Sequence, residues 1–138
     1  MASRREQIME AIRAKLATLS GITVYRSRLT ALSRAESPAI VVRPEKEDIV
    51  KRNNDLSERE LVLVIDVIAR GAIPDSIADQ YCVSAHAKIM EDETIGGLTL
   101  FTREIGTVWE MPQDTDLDAV VIPMRYLIGY RTIANTLN

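Results

Sequence analysis

One cysteine and one histidine are all that the 138 residues contain of either type. With Cys82 alone, an internal disulfide and a multi-cysteine zinc site are excluded. His86 is the only histidine that could activate a nucleophile, and no Gly-x-Ser-x-Gly elbow surrounds any serine. Aromatic residues make up only 4%, and Lys51-Arg52 is an isolated basic pair, so the basic stripe with interleaved aromatics of a nucleic-acid reader is missing. Glycine is sparse as well. Gly71 has no glycine neighbour and Gly96-Gly97 precedes a strand-like stretch, so no phosphate-cradling loop joins a strand to a helix. No apolar run approaches the ~20 residues of a membrane helix. The N-terminus opens with charge rather than the apolar segment of a secretory signal, which leads us to expect a cytoplasmic protein.

What is present suits one ordinary domain. Apolar residues reach 46% and charged residues 27%, enough for a real core and too much for a disordered tail. The net charge of −3 supplies no general attraction to nucleic acid or anionic membrane. It is unevenly spread: residues 1–59 hold 12 Lys/Arg against 8 Asp/Glu, and residues 60–138 hold 5 against 12. If that asymmetry survives folding, it suits head-to-tail attraction between copies; if the halves intermix, it vanishes.

Periodicity predicts the elements. Ser3 followed by Glu6 is a capping-box pattern opening a helix to about Leu19, with Ile8, Ile12, Leu16 and Leu19 on one face and Gly21 as its stop. Ile22–Arg26 reads as a short strand. Pro38 opens and Pro44 closes a second, Ala39–Arg43. Glu45–Glu58 is dense in charge and reads as a long mobile loop or an extended hairpin arm. Glu60–Arg70, apolar on both faces and β-branched, reads as a central strand whose one ionisable group within Leu61–Ala69, Asp66, calls for a cation across the sheet. Asp75 to about Glu93 reads as a second helix burying Ala78, Tyr81, Cys82, Ala85 and Ile89. Thr102–Glu110 reads as a strand with Trp109 in the core or covering the sheet, the alternative being a contact anchor. Val120–Tyr130 is the last strand, its even-numbered residues on one face and Pro123 demanding a bulge or an edge. The tail 135–138 is expected to fray. The class is α+β: a largely antiparallel or mixed β-sheet, two main helices packed on one face, and a long charged arm.

Three constellations invite a chemical reading and none sustains it. Cys82, His86 and Met90 share a helix ridge, but eight residues at 1.5 Å each spread them over ~12 Å, too far for one metal ion. Asp114, Asp116 and Asp118 begin a calcium loop, yet its sixth position is Ala119 and its twelfth Arg125, so an acidic turn is expected. A Cys82–His86 dyad is sterically allowed along a helix, but its helix-face setting marks Cys82 as core filler. No catalytic, metal or cofactor-binding residue and no cofactor are expected.

The order and spacing of several segments resemble the tail terminator proteins of long-tailed bacteriophages, the minor tail protein U-like group, over nearly the whole chain. The segments are Arg5-Glu6-Gln7-Ile8; Gly21-Ile22-Thr23-Val24 with Arg26 and Arg28; Ser37-Pro38-Ala39-Ile40-Val41-Val42; Arg59-Glu60-Leu61-Val62-Leu63-Val64-Ile65-Asp66-Val67; the Asp79–Ile89 helix; Asp92-Glu93-Thr94-Ile95-Gly96-Gly97-Leu98; and Tyr126-Leu127-Ile128-Gly129-Tyr130-Arg131-Thr132. The resemblance implies a non-enzymatic tail assembly protein. It would form a homo-oligomeric, hexameric ring on the end of the tail tube, stop tube polymerisation and provide the head-joining surface. The implied partners are the tail tube protein and a head-completion or connector protein, with no membrane and no specific nucleic-acid binding. The implied location is the virion tail, after assembly in the host bacterial cytoplasm.

For such a role Lys51 and Arg52 at the arm tip, and Tyr130, Arg131 and Thr132 at the end of the last strand, are the candidate contacts to a neighbouring copy or to the tube. Solvated surface charge and simple termination of the sheet are the bland alternatives. Competing functional readings are another head–tail joining protein of the neck or connector, a small-ligand-binding α+β regulatory module, and a small enzyme using Cys82.

Overall fold

The computed structural model describes residues 2–28, 36–109 and 119–138. Helix α1 spans Arg4–Leu16, and Ser3 caps it by accepting the Glu6 N–H at 3.1 Å. Only half of the expected capping box forms. The Glu6 carboxylate turns outward to the Arg26 guanidinium, at 3.2 and 3.0 Å, and so ties the helix to the first strand. The helix ends three residues short of Leu19, in turns that run to Gly21.

Five strands follow among the described residues: β1 Thr23–Arg26, β2 Ala39–Arg52, β3 Leu56–Arg70, β4 Phe101–Thr107 and β5 Ala119–Ile133, with helix α2, Pro74–Met90, between β3 and β4. They form one mixed sheet in the order β1-β2-β3-β5-β4. Only β1–β2 is parallel; the other pairings are antiparallel. Strand β3 is central, as its two apolar faces require.

Both helices pack on one face. Ile8, Met9, Ile12 and Leu16 of α1 and Ala78, Ala85 and Ile89 of α2 meet alternate sheet residues: Leu61, Leu63, Ile65 and Val67 of β3, and Val120 through Tyr130 of β5 at even positions. Each large aliphatic side chain buried here contributes ~1.5–3 kcal/mol against the entropy of ordering it. Tyr81 and Cys82 fall at the margin of this core and are half-buried rather than enclosed.

Pro44 does not close its strand. Pairing of β1 along the outer side of β2 stops at Val42, so a residue without an N–H is tolerated just beyond it, where the β2–β3 register slips between Pro44 and Lys46. The strand runs on to Arg52. The charged segment is therefore an ordered hairpin, not a loose loop. Asn53 makes its turn, its side-chain oxygen accepting the Asp55 and Leu56 N–H groups at 2.8 and 2.7 Å. Strand β5 accompanies the arm to its end, with Leu56 opposite Ile133. Pro123 is accommodated in the same way as Pro44: pairing with β4 ends at Met124.

The tail is not frayed. The Leu137 carbonyl accepts the Arg4 N–H at 2.8 Å, and the Ala134 N–H donates to Asp55 O at 2.9 Å. The tail thus links the start of α1 to the arm's turn.

Candidate functional site

Three regions of the molecule present chemistry that the core does not consume. The first is the arm. At its base, on the helix side, Glu47 accepts hydrogen bonds from Arg5 at 3.0 Å, from Arg59 at 3.2 Å and from the Tyr130 hydroxyl. Arg59 also donates to Thr132 Oγ1 at 3.0 Å and to the Thr136 carbonyl at 3.4 Å. Tyr130 and Thr132 are 1% and 2% exposed, so both lie inside this network and not on the surface. Burial, and then the Glu47 hydrogen bond, push the Tyr130 phenol well above its ordinary range. Arg131, one residue away on the opposite face, is exposed and pairs with Glu58 at 2.8 Å. Lys51 and Arg52 are exposed at the tip. They make no ion pair among the described residues, and Val50 beside them is 51% exposed.

The second region is the sheet face opposite the helices, which carries no helix among the described residues. Its apolar rows are roofed by long charged side chains. Val64 is 0% exposed because Arg43 and Arg125 flank it in register from β2 and β5. Asp66 has the cation its setting calls for, Arg43 at 2.7 Å, and Arg125 pairs with Glu45 at 3.0 Å. Near the β4 edge Phe101 lies across Gly129, with the Arg103 guanidinium 4.4 Å above its ring. A Cβ on Gly129 would sit 2.3 Å from the Phe101 ring. The glycine in the last strand is therefore a seat for an aromatic ring.

The third region is a cleft of about 460 Å³ where the start of α2 meets the ends of β4 and β5. Asp75, Asp79 and Cys82 line it from the helix, Ile122 and Met124 from β5, and Trp109 forms part of its wall. Trp109 is 66% exposed. It lies beyond the end of β4, on the surface rather than in the core or over the sheet.

The groups that suggested catalysis have structural duties. Burial, with the nearby Asp79 charge adding to it, pushes the Cys82 thiol up to about 11, which leaves it a poor nucleophile at neutral pH. His86 Nδ1 lies 2.7 Å from the Tyr126 hydroxyl, satisfying a buried phenol, and Nε2 lies 3.6 Å from Glu104. No group of three His, Cys, Asp or Glu side chains among the described residues could hold a metal ion. Asp114, Asp116 and Asp118 lie outside the described residues.

Neighbouring groups hold the acidic end of α2. Glu91 faces Lys15 at 3.7 Å and Lys88 at 3.9 Å. Asp92 accepts the Gly96 N–H at 2.8 Å and the Thr94 hydroxyl and N–H at 2.7 and 3.0 Å. These bonds, the Gly96 one foremost, hold the Asp92 carboxyl down at about 2. The loop turns through positive φ at Gly96 (66°) and Gly97 (85°), which glycine allows at little cost.

No family model matches the chain, and no curated protein matches it in sequence. One solved structure that it resembles is a chain of the virion of a native gene transfer agent particle. The TM-score is 0.48 and the identity 13%, over 94% of this chain and 92% of that one.

Sequence reasoning found the arm and its basic tip, but not Glu47 and Arg59 as the arm's anchor or the cleft beside Trp109. Glu47 is one acid among several in a charged run, and only the bulge after Pro44 turns it toward the helices. The cleft joins residues more than forty positions apart in sequence.

Proposed function

We propose that this chain is a phage-type tail terminator: a non-enzymatic virion protein that forms a closed, six-membered ring on the end of a tail tube. There it stops polymerisation and offers the surface to which the head joins. The observation that carries the reading is how the family-like segments are placed. They are consecutive pieces of one helix-backed sheet, and their side chains serve assembly of the fold rather than a reactive centre. Arg26 pins α1, Asp66 holds Arg43, Asp92 shapes the loop into β4, and Tyr130 and Thr132 brace the arm. What remains outward is an arm whose basic tip makes no ion pair among the described residues, and Arg131 close to it.

In this reading Lys51, Arg52 and Arg131 make contacts to a neighbouring copy or to the tube. Tyr130 and Thr132 contribute by fixing the strand that presents them. The arm binds as a preformed element, so little ordering entropy opposes the contact. The partners are the tail tube protein on one side of the ring and a head-completion or connector protein on the other. The protein acts in the virion tail after assembly in the host cytoplasm.

The test is addition of the purified chain to polymerising tail tube protein. Tubes that stop growing and carry the chain at one end support the reading. Tubes that grow at an unchanged rate, with the chain free or bound along their length, reject it.

A further inference from the structure

Among the described residues, two surface features of opposite charge lie at opposite ends of the strands. The arm tip carries Lys51 and Arg52, exposed and without an ion pair among the described residues, beside the exposed Val50. The cleft carries Asp75 and Asp79, which also make no ion pair among the described residues, together with Trp109, Ile122 and Met124. Arg52 is in register with Ser57, and Ser57 with Thr132. Ile122 precedes Thr132 by about ten residues of the same strand, roughly 33 Å at ~3.3 Å per residue. An ordered hairpin cannot fold back across that distance, so the tip cannot enter its own cleft.

We propose that the arm tip of one copy docks in the Asp75–Asp79–Trp109 cleft of the next. This inference rests on the ring-forming reading above and names the surfaces that join its subunits. The chemistry of the two sides is complementary. Two carboxylates face two cations, and the Trp109 ring offers a face for the Arg52 guanidinium. The apolar wall of Ile122 and Met124 takes the stems of the long side chains and Val50. Tip and cleft are different surfaces of the same chain, so the contact is heterologous; repeated with a closing rotation, it gives a ring. It also accounts for the charge asymmetry along the sequence. The two halves lie side by side in the sheet, β1 and β2 from the first and β3, β5 and β4 almost wholly from the second, and the basic tip belongs to the first half and the acidic cleft to the second.

The experiment uses charge reversal and its rescue. Three variants of the full chain are made: Lys51→Glu with Arg52→Glu, Asp75→Lys with Asp79→Lys, and all four together. Circular dichroism melting first establishes that each is folded, and sedimentation then gives self-association against concentration and salt. Each half-reversed variant is expected to associate about tenfold or more weakly than the unaltered chain. The four-fold variant, and an equimolar mixture of the two half-reversed ones, recover association. High salt weakens whichever pairing forms.

A second measurement covers weak association and any variant that fails to fold. In a Cys82→Ser background, Arg52→Cys with Asp79→Cys under mild oxidation yields a ladder of disulfide-linked oligomers, while either cysteine alone does not. The inference is overturned if the half-reversed variants associate as the unaltered chain does, if four-fold reversal restores nothing, or if the paired cysteines give no ladder. The reading as a terminator stands or falls separately: capping of tubes by a chain whose tip and cleft do not pair would leave it intact. A ladder from a chain that never caps tubes would leave the pairing intact and remove termination.

Discussion

Replacing Glu47 by alanine removes the group on which the arm's anchor converges. In the intact protein its carboxylate meets Arg5, Arg59 and the Tyr130 hydroxyl. The Arg59 and Glu47 side chains are only 12% and 11% exposed. Breaking a buried pair by deleting one partner costs ~3–5 kcal/mol, because the other charge is left desolvated. Arg59 keeps Thr132 Oγ1 and the Thr136 carbonyl as acceptors, and residual solvent reaches it, so the cost falls to ~2–3 kcal/mol. At ~2.1 cal/mol/K of unfolding entropy per residue, a chain of 138 residues loses roughly 7–10 °C of melting temperature. The assay is urea unfolding followed by circular dichroism, with Arg131→Ala as the comparison. The Arg131 pair is 49% and 28% exposed and is expected to be worth less than ~1 kcal/mol. A Glu47→Ala loss no greater than that of Arg131→Ala would refute the claim that this cluster anchors the arm.

Gly129→Ala is expected to push Phe101 off the sheet and destabilise the fold by ~1–3 kcal/mol, and Gly129→Ala with Phe101→Ala to recover part of that loss in a double-mutant cycle. Asp92 has a carboxyl lowered from 3.8 to about 2, so the stability it contributes is full above its unfolded value and is lost as the pH falls toward 2. Asp92→Asn should therefore flatten the acid limb of a stability–pH curve between those values and leave the neutral region's slope unchanged. Cys82, with its thiol pushed up to about 11, should react with a disulfide reagent at neutral pH far more slowly than a free thiol, as the absorbance of the released thiolate would register.

How much of this was legible in the sequence depended on whether a signal was local. The alternation of β5 places its even-numbered residues from Val120 to Tyr130 toward the helices because side chains alternate strictly along a strand. The helix signals of α1 were legible because its cap and its ~3.6-residue spacing of apolar residues are equally local, and the cation beside Asp66 followed from the cost of burying a lone charge. Pro44 misleads because a proline's missing N–H matters only where a neighbour would have used it, and β1 stops short of it. Trp109 misleads because an aromatic ring is buried only if something packs over it, and the end of β4 offers a cleft instead. Tyr130 and Thr132 looked like surface candidates because nothing in their neighbourhood of sequence reveals Glu47 and Arg59, more than seventy residues away. The long-range pairing of β2, β3 and β5 decides these cases.

Electron microscopy of tails assembled with and without this chain tests the central claim most directly. The account predicts tubes of uniform length capped by a ring when the chain is present, and tubes of extended, variable length when it is absent. Tubes of the same defined length in both preparations would contradict it.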